Sequence, residues 1–413
     1  MSGPLAGIRV LDLTSVVMGP FATQILGDYG ADVIKVEAPE GDVMRRAGPM
    51  RNPGMGHLYL TANRNKRSIV LDLKRSEGRE VLLRIAAESD VLVYNIRPQA
   101  MARLGLSYED VRQVAPRLIY AGAFGFSQRG PYAARPAYDD LIQGMCAIPW
   151  LHQQASGESP RYAPMVLVDR FAGLQLCTAI TSALFHRERT GEGQRVDVPM
   201  FEGMLSAVLA EHLAGELFEP AAGDVGYQRS LARDRRPYQT KDGFICVLVY
   251  NDKQWKALFE LIGKPELFAS DERFASQGAR LDHIDHVYGF LSDVLRDRRT
   301  DEWLAAFGSA DIPAARMYSV QDILSDEHLA AIGYFQRREH PTEGWIRDTA
   351  VPTEWSVSQP EAPRPAPGLG EHGVEVLREF GYSEEEIAKL RRQGTLGPVH
   401  EAAVYPPEEG DLE

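Results

Sequence analysis

The sequence has few cysteines and no cluster of histidine or cysteine that suits a metal. Its three cysteines, Cys146, Cys177 and Cys246, are odd in number, lie far apart and form no CxxC pair. This pattern is typical of free thiols in a reducing compartment, not of a disulfide framework. The ten histidines form neither an HxH nor an HExxH motif, so no built-in metal site is predicted. The cytoplasm is the expected location.

Long apolar runs and excess positive charge are also lacking. No uninterrupted apolar stretch approaches the ~20 residues that a membrane-spanning helix needs. The N-terminal segment MSGPLAGIRVLDLT lacks the basic and apolar regions of a signal peptide. The net charge of −13 disfavours general attraction to nucleic acid or to an anionic membrane, so neither is predicted as a partner.

Alternating strand and helix patterns fill the first half of the chain. The predicted strands are Ile8–Leu13, Asp32–Glu37, Ile69–Leu73, Asp90–Asn95, Leu118–Phe126 and Gly193–Met200. Repeated β-loop-α units need parallel strands joined by crossovers, so they predict an α/β, Rossmann-like fold. Such sheets bind ligands outside the carboxyl ends of their strands, where we therefore expect the chemistry.

A chain of 413 residues is too long for one typical core, so more than one domain is expected. The pattern changes character after the segment FEPAAGD, where short strands and helices replace the β-loop-α units. We predict a large Rossmann-like domain over residues 1–224 and a smaller α+β domain over 225–325. The C-terminal segment 326–413 is predicted to return to the large domain.

Two short motifs bear on nucleotide and phosphate binding. The loop TSVVMGPFATQILGDYG after the first strand has no GxGxxG, and the chain has no P-loop, which disfavours a nucleotide-dependent oxidoreductase. The basic run NRNKR (residues 63–67) is interpreted as a solvated face or as one wall of a site for a phosphate-bearing ligand.

Asp169 interrupts the apolar segment MVLVDRFAGLQLCTAI where a helix, predicted over Asp169–Gly191, begins. It can be an N-cap, because Asp side chains accept hydrogen bonds from the first helical turn. It can also be an active-site carboxylate in a dry pocket. The same ambiguity holds for Asp139 and Asp140, which follow Tyr138 at another predicted helix start.

The segment YNIRPQAMARLG places polar side chains just past a strand. Asn95 ends the predicted strand Asp90–Asn95, Arg97 follows it, and Pro98 suits the first turn of a helix. Helix N-termini favour anions, so this segment is a candidate for ligand contact. Arg46 and His57, also near strand ends, are candidates for binding a dicarboxylate.

Several collinear motifs together resemble the class III CoA-transferases, the family of formyl-CoA and carnitine CoA-transferases. They include GDYGADVIKVE, NRNKRSIVLDLK, DVLVYNIRPQAMARLGL, GPYAARPAYDDLIQ and VDRFAGL, and the similarity extends to GYSEEEIAKLRRQG near the C-terminus. The resemblance implies a CoA-binding large domain built from both chain ends, a smaller middle domain and an interlocked homodimer. It also implies acyl-CoA and a carboxylic acid as substrates, with no tightly bound cofactor.

The same resemblance assigns roles to single residues. It makes Asp169 the nucleophile, which forms mixed anhydrides and an aspartyl-CoA thioester. Met200 would border the acyl site. The residues that would line the CoA groove are Val16, Met18, Leu71, Asn95, Ile96, Arg103 and Tyr138.

The chain departs from formyl-CoA transferases at three places. The region of their glycine-rich loop reads VLVYNDKQW, and Val17 and Pro136 stand where they carry Gln and Lys. These departures disfavour oxalate and formyl-CoA as the natural pair. The main alternative is an α-methylacyl-CoA racemase, but Tyr138 occupies the place of its His, and a phenol with a pKa near ~10 is a poor proton shuttle at neutral pH. A non-catalytic CoA-binding protein is a further alternative.

Overall fold

The structure is a computed structural model that describes residues 2–397. Contacts between residues divide this part of the chain into two compact units. The first comprises residues 2–142, 165–205 and 330–397, and the second comprises 143–164 and 206–329. The first and last parts of the described chain thus belong to one unit. The second unit includes the segment 143–164, and its main part begins at residue 206.

Each strand of the large sheet is followed by one or more helices. In chain order the elements are β1 (Arg9–Leu13), α1 (Met18–Asp28), β2 (Asp32–Glu37), a 3-10 helix (Val43–Arg46), α2 (His57–Ala62), β3 (Lys66–Val70), α3 (Ser76–Ala87), β4 (Val91–Tyr94), α4 (Pro98–Arg103), α5 (Tyr108–Val114), β5 (Ile119–Phe124), α6 (Asp139–Met145), α7 (Ile148–Ser156), α8 (Leu167–Thr190), β6 (Arg195–Pro199) and α9 (Met200–His212).

The rest of the chain is mostly helical, with short antiparallel strands. Its elements are a 3-10 helix (Ala214–Leu217), α10 (Gln228–Leu231), β7 (Tyr238–Gln239), β8 (Phe244–Val247), α11 (Asp252–Leu261), α12 (Leu267–Ser270), a 3-10 helix (Glu272–Phe274), α13 (Gln277–Asp282), α14 (Ile284–Val294), a 3-10 helix (Leu295–Asp297), α15 (Thr300–Ser309), β9 (Ala314–Arg316), α16 (Val320–Leu324), α17 (Glu327–Ala331), β10 (Phe335–His340), β11 (Gly344–Thr349), α18 (Gly373–Glu379) and α19 (Glu384–Arg392).

The first unit is built on a parallel sheet of six strands in the order β3-β2-β1-β4-β5-β6. Leu11 pairs with Ile34 on one side and with Leu92 on the other, and all three are fully buried. Strands buried on both faces are typically continuous apolar runs, as β4 is, whereas β1, β2 and β3 also carry buried charged residues. The predicted α/β class with a central parallel sheet is confirmed. Because the strand order reverses between β1 and β4, a crevice is expected at their carboxyl ends.

The basic run at residues 63–67 is buried, so its interpretation as a solvated face is wrong. No residue of the run is more than 8% exposed, and β3 begins inside it at Lys66, three residues before the predicted Ile69. Its ion pairs are Arg64–Asp28 (2.8 Å), Lys66–Asp12 (3.0 Å) and Arg67–Asp32 (2.6 Å). These cations are neutralised inside the protein, which also argues against a wall for phosphate.

The C-terminal segment packs on the sheet. Val376, Phe380 and Leu390 belong to the same apolar cluster as Leu11, and the amide of His372 donates to the carbonyl of Ser68 at 2.9 Å. The second unit has its own core around Trp255 and Trp303 and a three-stranded antiparallel sheet in the order β7-β8-β9. Within residues 2–397, no helix combines the length and the apolar character that crossing a membrane requires.

Candidate active site

The loops that follow β1 and β4 are joined by one asparagine. The Asn95 side chain accepts a hydrogen bond from the amide of Ser15 at 3.1 Å and donates to the carbonyl of Ser15 at 2.8 Å. The next residue, Val16, has φ 73°, a left-handed conformation that is strained for a β-branched side chain. Its amide donates to Asp42 Oδ1 at 3.2 Å, which fixes this conformation. Asn95 therefore positions the loop at the reversal point of the sheet.

Buried charged residues also hold the loop after β1 in place. Asp12, Lys35 and Lys66 are fully buried, and Lys35 Nζ binds Asp42 Oδ2 at 3.0 Å and the carbonyl of Thr14 at 2.8 Å. Burial alone would raise the pKa of Asp12, but Lys66 and Lys35 hold it at about 2. Burial lowers the pKa of Lys66 to about 8, although Asp12 opposes the change. The direct pairing at 3.0 Å keeps both groups charged at neutral pH.

Asp169 is in the first turn of α8, but it is not the N-cap. The helix begins at Leu167, two residues before the predicted start, and Val166 is the N-cap, without a capping side chain. Asp139 instead supplies the acceptor: its Oδ1 receives the amide of Asp169 at 2.9 Å. Asp139 thus caps α8 from a distant part of the chain, whereas the sequence predicted that at least one of Asp139 and Asp140 caps the helix on which they lie. The Asp169 carboxylate therefore does not cap α8.

The environment of Asp169 disfavours its charged form. Burial, and then the neighbouring charge of Asp139, raise the pKa of Asp169 to about 6, while Arg170 acts in the opposite direction. The side chain is only 9% exposed. A carboxylate that is poorly solvated yet still ionised at pH 7 is more nucleophilic than one in water.

Gly173 allows α8 to approach α1 closely. A Cβ atom at this position would lie 2.8 Å from the carbonyl oxygen of Met18 and 2.9 Å from the Phe21 ring. Since Gly173 is one turn after Asp169, the contact brings the start of α8 beside the start of α1. The Arg170 guanidinium stacks on Phe21 at 4.5 Å.

A cavity of about 350 Å³ lies where these elements meet. Of the residues predicted for the site, those that line it are Val16, Met18, Asn95, Ile96, Tyr138, Asp169 and Met200. Tyr138 is 67% exposed, whereas Met200, the first residue of α9, is buried. Residues that follow the carboxyl ends of several strands, and residues at the starts of α1, α8 and α9, are thus brought together around one carboxylate.

A second cavity of about 350 Å³ adjoins the first, and Ser15 and Ile96 line both. Leu71, predicted for the CoA groove, lines this second cavity together with the loop after β2. Arg103 lines neither cavity and is exposed at the end of α4. Arg46 and His57 also lie outside both linings.

Sequence reasoning did not assign Arg97 and Arg135, which both line the first cavity. Arg97 had been noted as following a strand end, and Arg135 precedes Tyr138 by three residues, so proximity to predicted site residues was the available signal. Val17, which replaces a family glutamine, is buried as the N-cap residue of α1. No group of three or more His, Cys, Asp or Glu side chains in the described part of the chain could hold a metal ion.

The chain matches a family model. Residues 5–373 match the model described as CoA-transferase family III. The chain belongs to this family. It is a CoA-transferase, an enzyme that moves CoA from an acyl-CoA to a carboxylic acid, as its sequence predicted.

Named relatives and solved structures agree with the assignment. The transferase is 36% identical to a succinate–glutarate CoA-transferase of Agrobacterium fabrum, over 91% of this chain and 96% of that one. It is 35% identical to an acetyl-CoA:oxalate CoA-transferase of Acetobacter aceti, over 92% and 97%. The crystal structure of a CAIB/BAIF family protein from Brucella suis superposes with a TM-score of 0.76, at 32% identity and over 92% of this chain and all of that one.

The contact between Asp139 and Asp169 predicts how the pH profile of the transferase responds to mutation. Asp139→Asn keeps the oxygen acceptor for the amide of Asp169 but removes the like charge that raises its pKa. If ionised Asp169 is the active form, the acid limb of kcat/KM lies near pH 6 in the wild type and moves to lower pH in this variant. Asp140→Asn, a change at the exposed neighbour, should leave the limb in place. If the acid limb of kcat/KM does not move in Asp139→Asn, Asp139 does not raise the pKa of Asp169 and this prediction is wrong.

Proposed function

We propose that Asp169 is the nucleophile that carries CoA between donor and acceptor. The observation that carries the proposal is its position: a buried carboxylate with a raised pKa, without a capping role, faces the cavity at the reversal point of the sheet. The reaction needs such a group, because covalent catalysis divides one difficult transfer into easier steps.

The proposed sequence of bonds conserves every group. An Asp169 oxygen attacks the thioester carbonyl and the C–S bond breaks. CoA departs as the thiolate, and a mixed anhydride of Asp169 and the donor acid remains. The thiolate attacks the aspartyl carbonyl, which releases the donor's carboxylate and leaves an aspartyl-CoA thioester. The acceptor carboxylate then displaces CoA thiolate to form a second anhydride. Attack of the thiolate on its acyl carbonyl gives the new acyl-CoA and restores Asp169.

Backbone groups beside Asp169 suit the developing charge. The first amides of α1 receive no side-chain cap, and Met18 at its start lines the cavity. Uncapped amides at a helix N-terminus stabilise anions, including tetrahedral oxyanions. We assign the oxyanion-stabilising role to this helix start, in the place where formyl-CoA transferases carry a glutamine.

The two adjoining cavities form the proposed CoA groove. The thioester end would lie at Asp169 and Met200, and the chain of CoA would pass Val16, Asn95 and Ile96 into the second cavity at Leu71. The exposed Arg103 would then bind a phosphate of CoA at the edge of this groove, since a guanidinium can donate two hydrogen bonds to phosphate oxygens.

We also propose that two transferase chains interlock as a homodimer, with one large and one small domain in each, in the cytoplasm. Large apolar side chains such as Phe185, Leu217 and Val320 are more than 60% exposed, which favours burial against a second chain. The three cysteines form no disulfide, in keeping with a reducing compartment. Interlocked chains should stay dimeric at nanomolar concentration in analytical ultracentrifugation; a concentration-dependent monomer would contradict interlocking.

An isotope experiment tests the nucleophile. When an acceptor acid labelled with ¹⁸O in both carboxylate oxygens is used, the bridging oxygen of the second anhydride remains on Asp169. Peptide mass spectrometry after turnover should therefore find ¹⁸O in the peptide that contains Asp169. Direct transfer to the acid without a covalent intermediate leaves this peptide unlabelled. A racemase would instead exchange the α-proton of an acyl-CoA with deuterated solvent, without any acceptor.

A further inference from the structure

Two guanidinium groups line the cavity of Asp169 without an anionic partner. Within residues 2–397, no carboxylate lies at salt-bridge distance from Arg97 or Arg135. In contrast, Arg45, Arg64 and Arg67 near the sheet are each paired with a carboxylate. Arg97 follows β4 and adjoins Asn95 and Ile96, on the side where the two cavities meet. Arg135 belongs to the loop after β5 and lines only the first cavity.

The guanidinium of Arg135 is held by a series of aromatic rings. It stacks on Tyr132 at 3.8 Å, and Tyr132 meets Phe126 edge-on at 5.4 Å. Phe126 in turn meets Phe201 at 5.7 Å, next to Met200 of the site. Stacking leaves the N–H edge of the guanidinium able to donate two parallel hydrogen bonds, the geometry that a carboxylate accepts.

The loop that carries Arg135 is closed on itself. A Cβ atom on Gly125 would lie 2.1 Å from Ala137 Cβ, so the two ends of the loop touch. Gln128 Nε2 donates to the carbonyls of Phe126 at 3.0 Å and Ala133 at 3.4 Å. Loops fixed in this way hold a side chain without a large entropy loss on binding.

We propose that Arg135 binds the second carboxylate of a dicarboxylic acid whose first carboxylate reacts at Asp169. This inference rests on the proposed role of Asp169 and adds the class of acid. Arg135 is an exposed residue that lines the same cavity as the nucleophile, stacks on Tyr132 and has no carboxylate partner within residues 2–397, so it favours a ligand with a second negative charge. The related enzymes are named for succinate, glutarate and oxalate, all of which are dicarboxylic acids.

The test compares acids that differ only in the second carboxylate. With succinyl-CoA as donor, kcat/KM is measured for glutarate and for valerate, and then for succinate and butyrate. The acids carry an isotopic label, and its appearance in acyl-CoA is followed, because exchange of CoA between succinyl-CoA and succinate gives no net product. In ping-pong kinetics, kcat/KM of an acceptor reports its own half-reaction. Arg135→Gln should lower kcat/KM for glutarate and succinate about 10- to 100-fold, as expected for a lost charge-assisted pair, and change the values for valerate and butyrate less than about twofold.

Arg129→Gln is the matched control, because Arg129 is exposed in the same loop but lines neither cavity; it should leave every value unchanged. Arg135→Lys should retain part of the preference. An equal loss with all four acids would show that Arg135 acts on CoA or on the fold, and would overturn the proposal. A wild-type enzyme without preference for the dicarboxylates would also overturn it, while the role of Asp169 stands. Failure to transfer CoA to any acid would overturn both.

Discussion

Asp169→Asn is expected to lower kcat for CoA transfer by about 10³-fold or more. The amide has no ionised oxygen, so it cannot attack the thioester, and removal of a covalent nucleophile has effects of at least this size. Steady-state assays with an acyl-CoA donor and a carboxylic acid measure the loss. Near-wild-type activity in this variant would exclude Asp169 as the nucleophile.

The same substitution should not destabilise the fold, which separates a chemical loss from unfolding. The pKa of Asp169 is raised from 3.8 to about 6, so ionisation of this group opposes folding by on the order of 3 kcal/mol. The sign follows from the shift: the penalty is absent below pH 4, grows between pH 4 and 6, and is complete at pH 7. Denaturant unfolding should therefore show Asp169→Asn to be at least as stable as the wild type at pH 7. A markedly less stable variant would contradict this.

Lys66→Met is expected to destabilise the protein by about 3–5 kcal/mol. Lys66 and Asp12 are both fully buried, and Lys66 Nζ also donates to the carbonyl of Pro20 at 3.0 Å. Removing one partner of a buried pair leaves an uncompensated charge, which is far more costly than the pair itself is worth. The midpoint of urea unfolding at constant slope measures the change.

A double variant and a surface control sharpen this prediction. Asp12→Asn combined with Lys66→Met should recover much of the loss, because neither side chain is then left charged without its partner. Lys264→Met, at an exposed lysine, should change stability by less than about 0.5 kcal/mol. If the double variant is as unstable as the sum of its single changes, the loss is one of packing, not of pairing.

The sequence carried most of the fold, because buried parallel strands have a strong local signal. β2 has the predicted bounds, Asp32–Glu37, and the loops after β1 and β4 meet as strand polarity required. The solvated face predicted for residues 63–67 is wrong because the cations of this segment are buried in ion pairs. Their partners, Asp12, Asp28 and Asp32, lie more than 30 residues earlier in the sequence. Charge patterns give no information on partners that are distant in sequence.

For the site as well, the sequence identified residues within local motifs but not the contacts between residues that are distant in sequence. Family resemblance selected nine residues, and seven of them, Asp169 included, line one cavity. The acceptor for its amide is Asp139, 30 residues away, so the residues around Asp169 left open whether it caps its own helix or acts as an active-site carboxylate. Arg135 was missed because an arginine in a loop signals a site only when its neighbours leave it unpaired.

The most direct test of the central claim is to trap the intermediate. The transferase is mixed with succinyl-CoA without an acceptor acid, quenched with hydroxylamine, digested and analysed by mass spectrometry. Hydroxylamine converts an aspartyl thioester or anhydride to a hydroxamate, which should appear on Asp169 in the wild type and be absent from Asp169→Asn. Hydroxamate on another residue would contradict catalysis through Asp169. So would the absence of hydroxamate from an enzyme sample that transfers CoA at its normal rate when an acceptor acid is added.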